Sequence, residues 1–260
     1  MTKPKAAVLK TEGTNCDEEA IFALNLAGAD AKLVHVNDLR EKRENLKNYQ
    51  ILMFPGGFAY GDDIASGKIF AVELTSFLLD ELKKFVDRKD TVTLGVCNGF
   101  QVLVRTGLLP LGTPGEMKAT LTNNDSGHFE CRWAQIKTEK KNACAFLQGA
   151  YDISWVAINH GEGKFFASKE TIDEIEKKNL VVFRYVDENG NPTQHYPENP
   201  NGSINAIAGV CDPSGRILGL MPHPEKFVQV TQYPNWRREK ITKPHGLFLF
   251  EEMVHYAKKA

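Results

Sequence analysis

The sequence predicts a three-layer α/β protein with a mostly parallel central sheet, helices on both of its faces and some antiparallel strands in the second half. Over the first half, apolar runs alternate with helix-spaced apolar residues, which is typical of parallel βαβ units. In the second half, apolar runs follow one another with turn residues between them, including an Asn-Gly pair in Asp187–Asn191. No repeat, low-complexity tract or linker divides the 260 residues, so we expect residues 1–260 to form a single domain.

The first half contains the predicted parallel strands: Ala6–Lys10, Ala31–Val36, Gln50–Phe54 and Thr91–Val96. A first helix is expected to start at Asn15 and to stop at Gly28. Glu18, three residues after Asn15, is typical of a capping box. Apolar residues at intervals of three and four predict a second helix over Lys68–Arg88. A third is expected over Asn98–Arg105. Because helices separate these strands, we expect right-handed parallel crossovers.

The second half begins with residues 107–128, which are rich in Gly, Pro, Asn and Thr and are interpreted as loop. Further strands are predicted at Phe129–Ile136, Ile153–Asn159, Leu180–Val186, Ile204–Val210 and Arg216–Met221. The Asn-Gly turn makes some of these strands antiparallel neighbours. A last helix is predicted over Leu247–Ala257.

The composition argues against several classes of protein. A formal charge of −1 gives no basic footprint for nucleic acid. No run approaches the roughly 18–20 apolar residues that span a bilayer, and no signal-peptide core is present, so we expect a cytoplasmic protein without membrane contact. The 5 cysteines are scattered without C-x-x-C spacing, which disfavours a disulfide framework or a zinc site. No phosphate-binding loop is present, and Asp62-Asp63 lacks further ligands for a metal.

The most specific motif is Gly95-Val96-Cys97-Asn98-Gly99, which lies between a buried strand and a helix. This is the nucleophile-elbow pattern with Cys in place of Ser. Small residues on both sides allow a sharp turn that presents the sulfur at the carboxyl end of the sheet. The helix N-terminus adds free N–H groups and partial positive charge, which favour a thiolate. Cys97 is therefore the predicted nucleophile, whereas the other cysteines are interpreted as ordinary buried residues.

A nucleophile needs a base and a group that orients it. His223 stands before Pro224 at the end of a predicted strand, and an extended backbone there would place Glu225 on the same face as His223. His223 and Glu225 are therefore predicted to complete a triad with Cys97. His160 is a rival base, because it also follows a strand and has Glu162 two residues later.

The segment Pro55-Gly56-Gly57-Phe58 follows the third predicted strand. Its glycines allow main-chain N–H groups to approach a reacting carbonyl and form an oxyanion hole. The N–H of Asn98, the residue after the nucleophile, would be the second donor.

Taken in order, the Gly-Gly-Phe segment, the Cys elbow and His-Pro-Glu make the chain resemble a class I glutamine amidotransferase domain. The resemblance covers nearly the whole chain and includes Gly13-Thr14-Asn15-Cys16-Asp17, Gly56–Asp62, Gly95–Gln101, His160-Gly161-Glu162-Gly163 and Gly219–Glu225. It implies the same triad, an oxyanion region of Gly56, Gly57, Phe58 and Asn98, and a glutamine-holding role for Gln101. It also implies that Ser126, His128 and Phe129 line the glutamine pocket, with His160 nearby.

The resemblance further implies a reaction and a partner. Glutamine would be hydrolysed through a γ-glutamyl thioester on Cys97. The ammonia would pass to a separate synthetase subunit that activates formylglycinamide ribonucleotide with ATP and magnesium in purine biosynthesis. No cofactor is expected in this chain itself. Two alternatives remain open: a cysteine peptidase or chaperone of the related elbow-Cys α/β folds, and a regulatory subunit with an inactive site.

Overall fold

Nine strands form the central sheet of the computed structural model, which describes residues 2–147 and 151–259. Across the sheet they lie in the order β2 (Asp30–His35), β1 (Lys5–Lys10), β3 (Ile51–Phe54), β4 (Val92–Val96), β11 (Ile217–Leu220), β10 (Ile207–Cys211), β9 (Val181–Tyr185), β6 (Glu130–Thr138) and β7 (Ile153–His160). The remaining pair, β5 (Ala119–Thr122) and β8 (Lys164–Ala167), forms a small antiparallel sheet.

The central sheet is parallel on one side and antiparallel on the other. Strands β2, β1, β3, β4 and β11 run parallel, whereas β10, β9, β6 and β7 each run antiparallel to the preceding neighbour. The predicted mixed sheet is thus confirmed. Strand β11 returns from the second half to pair with β4, with Gly219 opposite Gly95 and Leu220 opposite Val96. This pairing brings two distant stretches of sequence to the same edge of the sheet.

The helices are α1 (Asp17–Leu26), α2 (Val36–Arg40), α3 (Lys68–Glu73), α4 (Leu79–Asp87), α5 (Asn98–Arg105), α6 (Lys169–Lys177) and α7 (Leu247–Lys259). Helix α7 packs against β3, β4 and α1, whereas α5 packs against β3, β4, β11 and α3. Helices α5 and α7 both cover β3 and β4, from opposite faces of the sheet. Helices therefore lie on both sides of the sheet, as predicted. No helix within the two described ranges is both long enough and apolar enough to span a membrane.

Burial follows from this layering. The segments Ala6–Leu9 and Ile51–Phe54 are wholly excluded from solvent, since helices cover both faces of the parallel strands. The carboxyl ends of β3, β4 and β11 lead directly into Pro55, Cys97 and Met221. Three loops therefore meet at one edge of a rigid sheet, which is where open α/β folds bind ligands.

Several sequence expectations were wrong. The N-cap of α1 is Cys16 and carries no side-chain cap hydrogen bond, so the capping box at Asn15 is absent. The segment 107–128 is not all loop, because β5 lies within it and pairs with β8 far along the chain. A π-helical turn, Leu74–Leu78, interrupts the helix predicted over Lys68–Arg88.

The remaining differences concern the second half. Strand β10 starts at Ile207, after a 3-10 turn at Ile204–Ala206. The Asn-Gly turn exists, with the N–H of Gly190 donating to the carbonyl of Asp187 at 3.0 Å. It brings Val186 opposite Pro192 as an isolated bridge and does not join two strands of the central sheet.

Candidate functional site

Cys97 occupies a strained turn between β4 and α5. Its φ of 51° and ψ of −107° place a non-glycine residue in a sparsely populated backbone region. Glycine is required at 99 by close packing, since a Cβ there would lie 1.9 Å from the Phe54 carbonyl oxygen. The N–H of Cys97 donates to the Leu220 carbonyl at 2.9 Å, which ties the elbow to β11. The predicted strand–elbow–helix geometry is thus present, with the thiol at its apex.

His223 reaches the same edge from β11. Its N–H donates to the Ala157 carbonyl at 2.8 Å, so the main chain is held by β7 as well. Its Nδ1 lies 2.6 Å from Oε1 of Glu225, and both side chains are buried. Glu225 belongs to the 3-10 turn Pro224–Lys226, so the contact arises from a tight turn where an extended strand was expected. Across the described residues, His223 Nε2 has no hydrogen-bond partner, which leaves it available to a reacting group.

The electrostatic setting of His223 favours its protonated form. Burial alone would lower the pKa of His223, because desolvation disfavours a charged imidazole. The Glu225 carboxylate and the Cys97 sulfur outweigh burial and raise the pKa of His223 well above its ordinary value. The arrangement thus suits an imidazolium that holds a proton beside the thiol and can release it to a leaving group.

Cys16 is a site neighbour that the sequence interpretation missed. It follows β1 at the same edge of the sheet, and its thiol also acts to raise the pKa of His223. Gly56 packs over both side chains: a Cβ there would lie 2.6 Å from His223 Cε1 and 3.4 Å from Cys16 Sγ. The position of Cys16 in the turn between β1 and α1 could have predicted this, because neighbouring parallel strands bring the turns at their carboxyl ends close together.

The cluster of Cys16, His223 and Glu225 has potential ligand atoms within 4.8 Å of one another. However, His223 Nδ1 and Glu225 Oε1 are only 2.6 Å apart. Two ligands about 2.0 Å from a tetrahedral ion lie more than about 3 Å apart, so these two atoms cannot both coordinate one metal in their present positions. The geometry fits a shared proton between imidazole and carboxylate.

Two segments at the carboxyl ends of β3 and β4 carry main-chain N–H groups that are candidate oxyanion donors. Asn98 opens α5, and the first N–H groups of a helix lack intrahelical acceptors. Gly57 follows β3. No residue in the described ranges accepts a hydrogen bond from the N–H of Gly57 or of Asn98. The N–H of Phe58, a residue that the resemblance places in the oxyanion region, donates to the Gly13 carbonyl at 2.9 Å. The Phe58 side chain is partly exposed.

The Gln101 side chain lies one turn beyond the nucleophile and is buried. Its Nε2 donates to the Glu162 carbonyl at 2.7 Å, and its Oε1 accepts from Asn98 Nδ2 at 3.0 Å. Gln101 thereby links the elbow to the loop after β7.

His160 is buried like His223, and its Nε2 also lacks a partner among the described residues, but its other ring nitrogen has a different neighbour. Its Nδ1 lies 3.2 Å from Asn124 Oδ1, and Glu162 turns away to accept from the N–H of Ser66. Burial, followed by the charge of His223, lowers the pKa of His160 to about 3. Within the described residues no carboxylate is hydrogen-bonded to His160, and its lowered pKa keeps it neutral near pH 7.

The other predicted lining residues lie in one turn before β6. Asn124 Nδ2 donates to the carbonyls of His128 and His160, both at 2.8 Å, which ties this turn to the end of β7. Ser126 Oγ accepts from the N–H of His128 at 3.3 Å. The ring of Phe129 is half exposed and lies 6.2 Å from that of Phe58. Phe58 and Phe129 thus form an aromatic rim.

The chain is similar over nearly its whole length to known proteins. A model of the CobB/CobQ-like glutamine amidotransferase domain matches residues 3–257. The phosphoribosylformylglycinamidine synthase subunit PurQ of Dehalococcoides mccartyi is 42% identical over 260 residues, covering 100% of both chains. The subunit of the same name from Methanococcus maripaludis is 40% identical and covers 98% of both chains.

Among solved structures, a chain of PurLQS from Thermotoga maritima matches with a TM-score of 0.73 and 29% identity. The match covers 98% of this chain and 99% of that one.

Proposed function

The chain belongs to the CobB/CobQ-like glutamine amidotransferase family and, from its likeness to the PurQ subunits within it, we propose that it is the glutaminase subunit of phosphoribosylformylglycinamidine synthase. It hydrolyses glutamine to glutamate and ammonia. The main support for this function is the position of three residues. The Cys97 elbow and the buried His223–Glu225 pair follow the carboxyl ends of the neighbouring strands β4 and β11.

In the proposed mechanism, the Cys97 thiol gives its proton to His223 Nε2, and the resulting thiolate attacks the side-chain carboxamide carbon of glutamine. The oxyanion that forms accepts hydrogen bonds from the N–H groups of Gly57 and Asn98. His223 passes its proton to the departing ammonia, and a γ-glutamyl thioester remains. Neutral His223 then takes a proton from water, whose oxygen attacks the thioester and releases glutamate. Glu225 keeps the imidazole oriented and stabilises its charge.

The binding part of the proposal assigns Gln101 to the wall that holds glutamine, with Gly56 packing against His223 at its floor. Ser126, His128 and Phe129 are assigned to the opposite rim, and His160 is the last residue of β7. The hydrogen bonds of Asn124 and Gln101 support this assignment, because they connect these segments to one another.

The ammonia is consumed by a synthetase partner. We assign this role to PurL, with PurS as a further subunit, because the chain aligns over its length with a chain of PurLQS. In that complex formylglycinamide ribonucleotide becomes formylglycinamidine ribonucleotide. ATP and Mg²⁺ belong to the partner in this proposal, since the sequence of this chain carries no phosphate-binding loop.

We further propose one glutaminase domain over residues 1–260, located in the cytoplasm. The family model covers residues 3–257 without interruption, which supports a single unit. All five cysteines are free thiols, which fits a reducing compartment.

Replacing Cys97 with Ala tests the function directly. In the complex reconstituted with the synthetase, Cys97→Ala should abolish glutamine-dependent synthesis and leave ammonia-dependent synthesis intact. Retention of glutamine-dependent synthesis would show the assignment to be wrong. A complete triad disfavours an inactive regulatory subunit. Labelling of Cys97 by a glutamine-analogue electrophile would exclude that alternative, and release of glutamate but not of peptides would exclude a peptidase.

A further inference from the structure

The two proposed oxyanion donors belong to separate segments of the chain. Gly57 lies in the loop after β3, whereas Asn98 begins α5. An oxyanion is stabilised only when each donor lies about 2.7–3.1 Å from the position that the oxygen will occupy. The relative position of these two segments therefore has to be fixed before the substrate arrives.

The side chain of Asn98 connects them. Its Oδ1 accepts from the N–H of Ala59, two residues after Gly57, at 3.2 Å. Its Nδ2 donates to Asp62 Oδ1 and to Gln101 Oε1, each at 3.0 Å. The orientation of this buried amide is unambiguous, because a main-chain N–H can only donate and a carboxylate accepts. Asn98 thus clamps the elbow to the loop that carries Gly57.

Asp62 anchors this clamp. Its Oδ2 accepts from Ser66 Oγ at 2.9 Å, and the N–H of Gly67 also binds its carboxylate. The surrounding loop is strained: Tyr60, Asp62 and Ile64 are non-glycine residues with φ values of 56°, 54° and 71°. Such conformations persist only where contacts hold them, and they cluster at functional sites. The Asp62 carboxylate joins this strained loop to Asn98 Nδ2, in addition to the bond from the Ala59 N–H to Asn98 Oδ1.

We propose that Asp62 is a positioning residue for glutamine hydrolysis, holding the Asn98 carboxamide so that the N–H groups of Gly57 and Asn98 stay aligned on the oxyanion. This inference deepens the proposed function and rests on it. Asp62 acts only through Asn98. The Glu162 carboxylate and the Arg105 guanidinium are the other charged groups that act on Asp62.

The test is kinetic and uses the reconstituted complex. Asp62→Ala should lower kcat for glutamine hydrolysis about tenfold to a hundredfold, since a displacement of about 1 Å can cost about a hundredfold. KM should change less than kcat, because the oxyanion forms only along the reaction. Asp62→Asn, which retains an oxygen to accept from Asn98 Nδ2, should recover most of the lost rate.

Two readouts separate this role from general damage. Alkylation of Cys97 by iodoacetamide forms no oxyanion, so its rate in Asp62→Ala should match that of the parent protein. Asp63→Ala is the matched control, because Asp63 is an exposed carboxylate in the same loop. A kcat for Asp62→Ala within twofold of the Asp63→Ala value would overturn the proposal, as would an equal fall in alkylation rate.

A second set of variants exchanges the carboxylate of Asp62 and the carboxamide of Asn98. These variants test the proposal even if Asp62→Ala fails to fold. Asn98→Asp alone sets one carboxylate against another and should impair hydrolysis. Combining it with Asp62→Asn restores a donor facing an acceptor and should raise kcat about tenfold over Asn98→Asp. No gain in the double variant would contradict the proposal.

Failure of this inference is distinguishable from failure of the proposed function. If the parent complex hydrolyses glutamine and Cys97→Ala does not, the function stands whatever the Asp62 variants do. If Cys97→Ala still hydrolyses glutamine, the function itself is wrong and the positioning role falls with it.

Discussion

The Nδ1 atom of His223 lies 2.6 Å from Oε1 of Glu225, with both side chains excluded from solvent. A charged carboxylate in such a place is stable only when it is paired, and the imidazole supplies the partner. The pair leaves Nε2 of His223 without a protein partner in the described part of the chain. The base is therefore held in one orientation with its reactive nitrogen free.

We expect Glu225→Gln to lower kcat for glutamine hydrolysis about a hundredfold to ten-thousandfold, because the neutral amide no longer stabilises the imidazolium or fixes its tautomer. The measurement is kcat in the reconstituted complex, with ammonia-dependent synthesis as the check on assembly. Glu174 on α6 forms a surface ion pair with Lys178, so Glu174→Gln removes the same charge away from the site and serves as the control. Equal rates in the two variants would remove Glu225 from the mechanism.

The two candidate bases can be separated by substituting each alone. His223→Gln should lower kcat by about a thousandfold or more, whereas His160→Gln should stay within about tenfold of the parent. The reason is that only His223 has a carboxylate within hydrogen-bond distance. Glutamate release by each purified variant in complex is the measurement. Loss confined to His160→Gln would reverse the assignment.

His160 should also make stability depend on pH. Burial lowers the pKa of His160 to about 3, whereas the pKa of a histidine in an unfolded chain is about 6.5. Between these values the unfolded chain binds a proton that the native state does not, so stability falls as the pH falls. His160→Gln should lower the slope of the unfolding free energy by about 1.4 kcal/mol per pH unit.

Urea unfolding between about pH 4.5 and 6 measures this slope. His195→Gln, which makes the same substitution at an exposed histidine, is the control. If the unfolding free energy depended on pH equally in the parent and in His160→Gln, the buried imidazole would have to be protonated in the folded protein.

Gly56 should tolerate no side chain. A Cβ at this position would lie 2.6 Å from His223 Cε1, so Gly56→Ala has to push the imidazole away from its working position. We expect kcat to fall about tenfold to a hundredfold with little change in melting temperature. Gly161→Ala is the comparison, because its nearest neighbour, Phe129 Cδ2, would be at an ordinary 3.8 Å. Similar kinetics for both variants would contradict this account of Gly56.

The central sheet was predictable because its strands are marked locally. Apolar runs such as Ile51–Phe54 end in glycines or prolines, and the Cys97 motif fixes a strand, a turn and a helix at once. The pairing of His223 with Glu225 followed from a separation of two residues, although a 3-10 turn produces it. These features depend on neighbours in sequence.

What escaped prediction depends on distant partners. Strand β5 is recognisable only through its pairing with β8, and the N–H of Phe58 is occupied by the carbonyl of Gly13. Cys16 contacts the site only because β1 and β3 are neighbours in the sheet. Helix α6 had a local signal, since Ser168 caps it, but its first turn is too polar to stand out from loop.

The pairing of β4 with β11 has a consequence for how the protein comes into being. The sulfur is translated long before the imidazole, and a nascent chain that ends short of Ile217 lacks the strand that carries the base. Such a polypeptide still on the ribosome lacks His223 and Glu225, so its triad is incomplete. Release of nitrogen from glutamine therefore requires translation beyond residue 225.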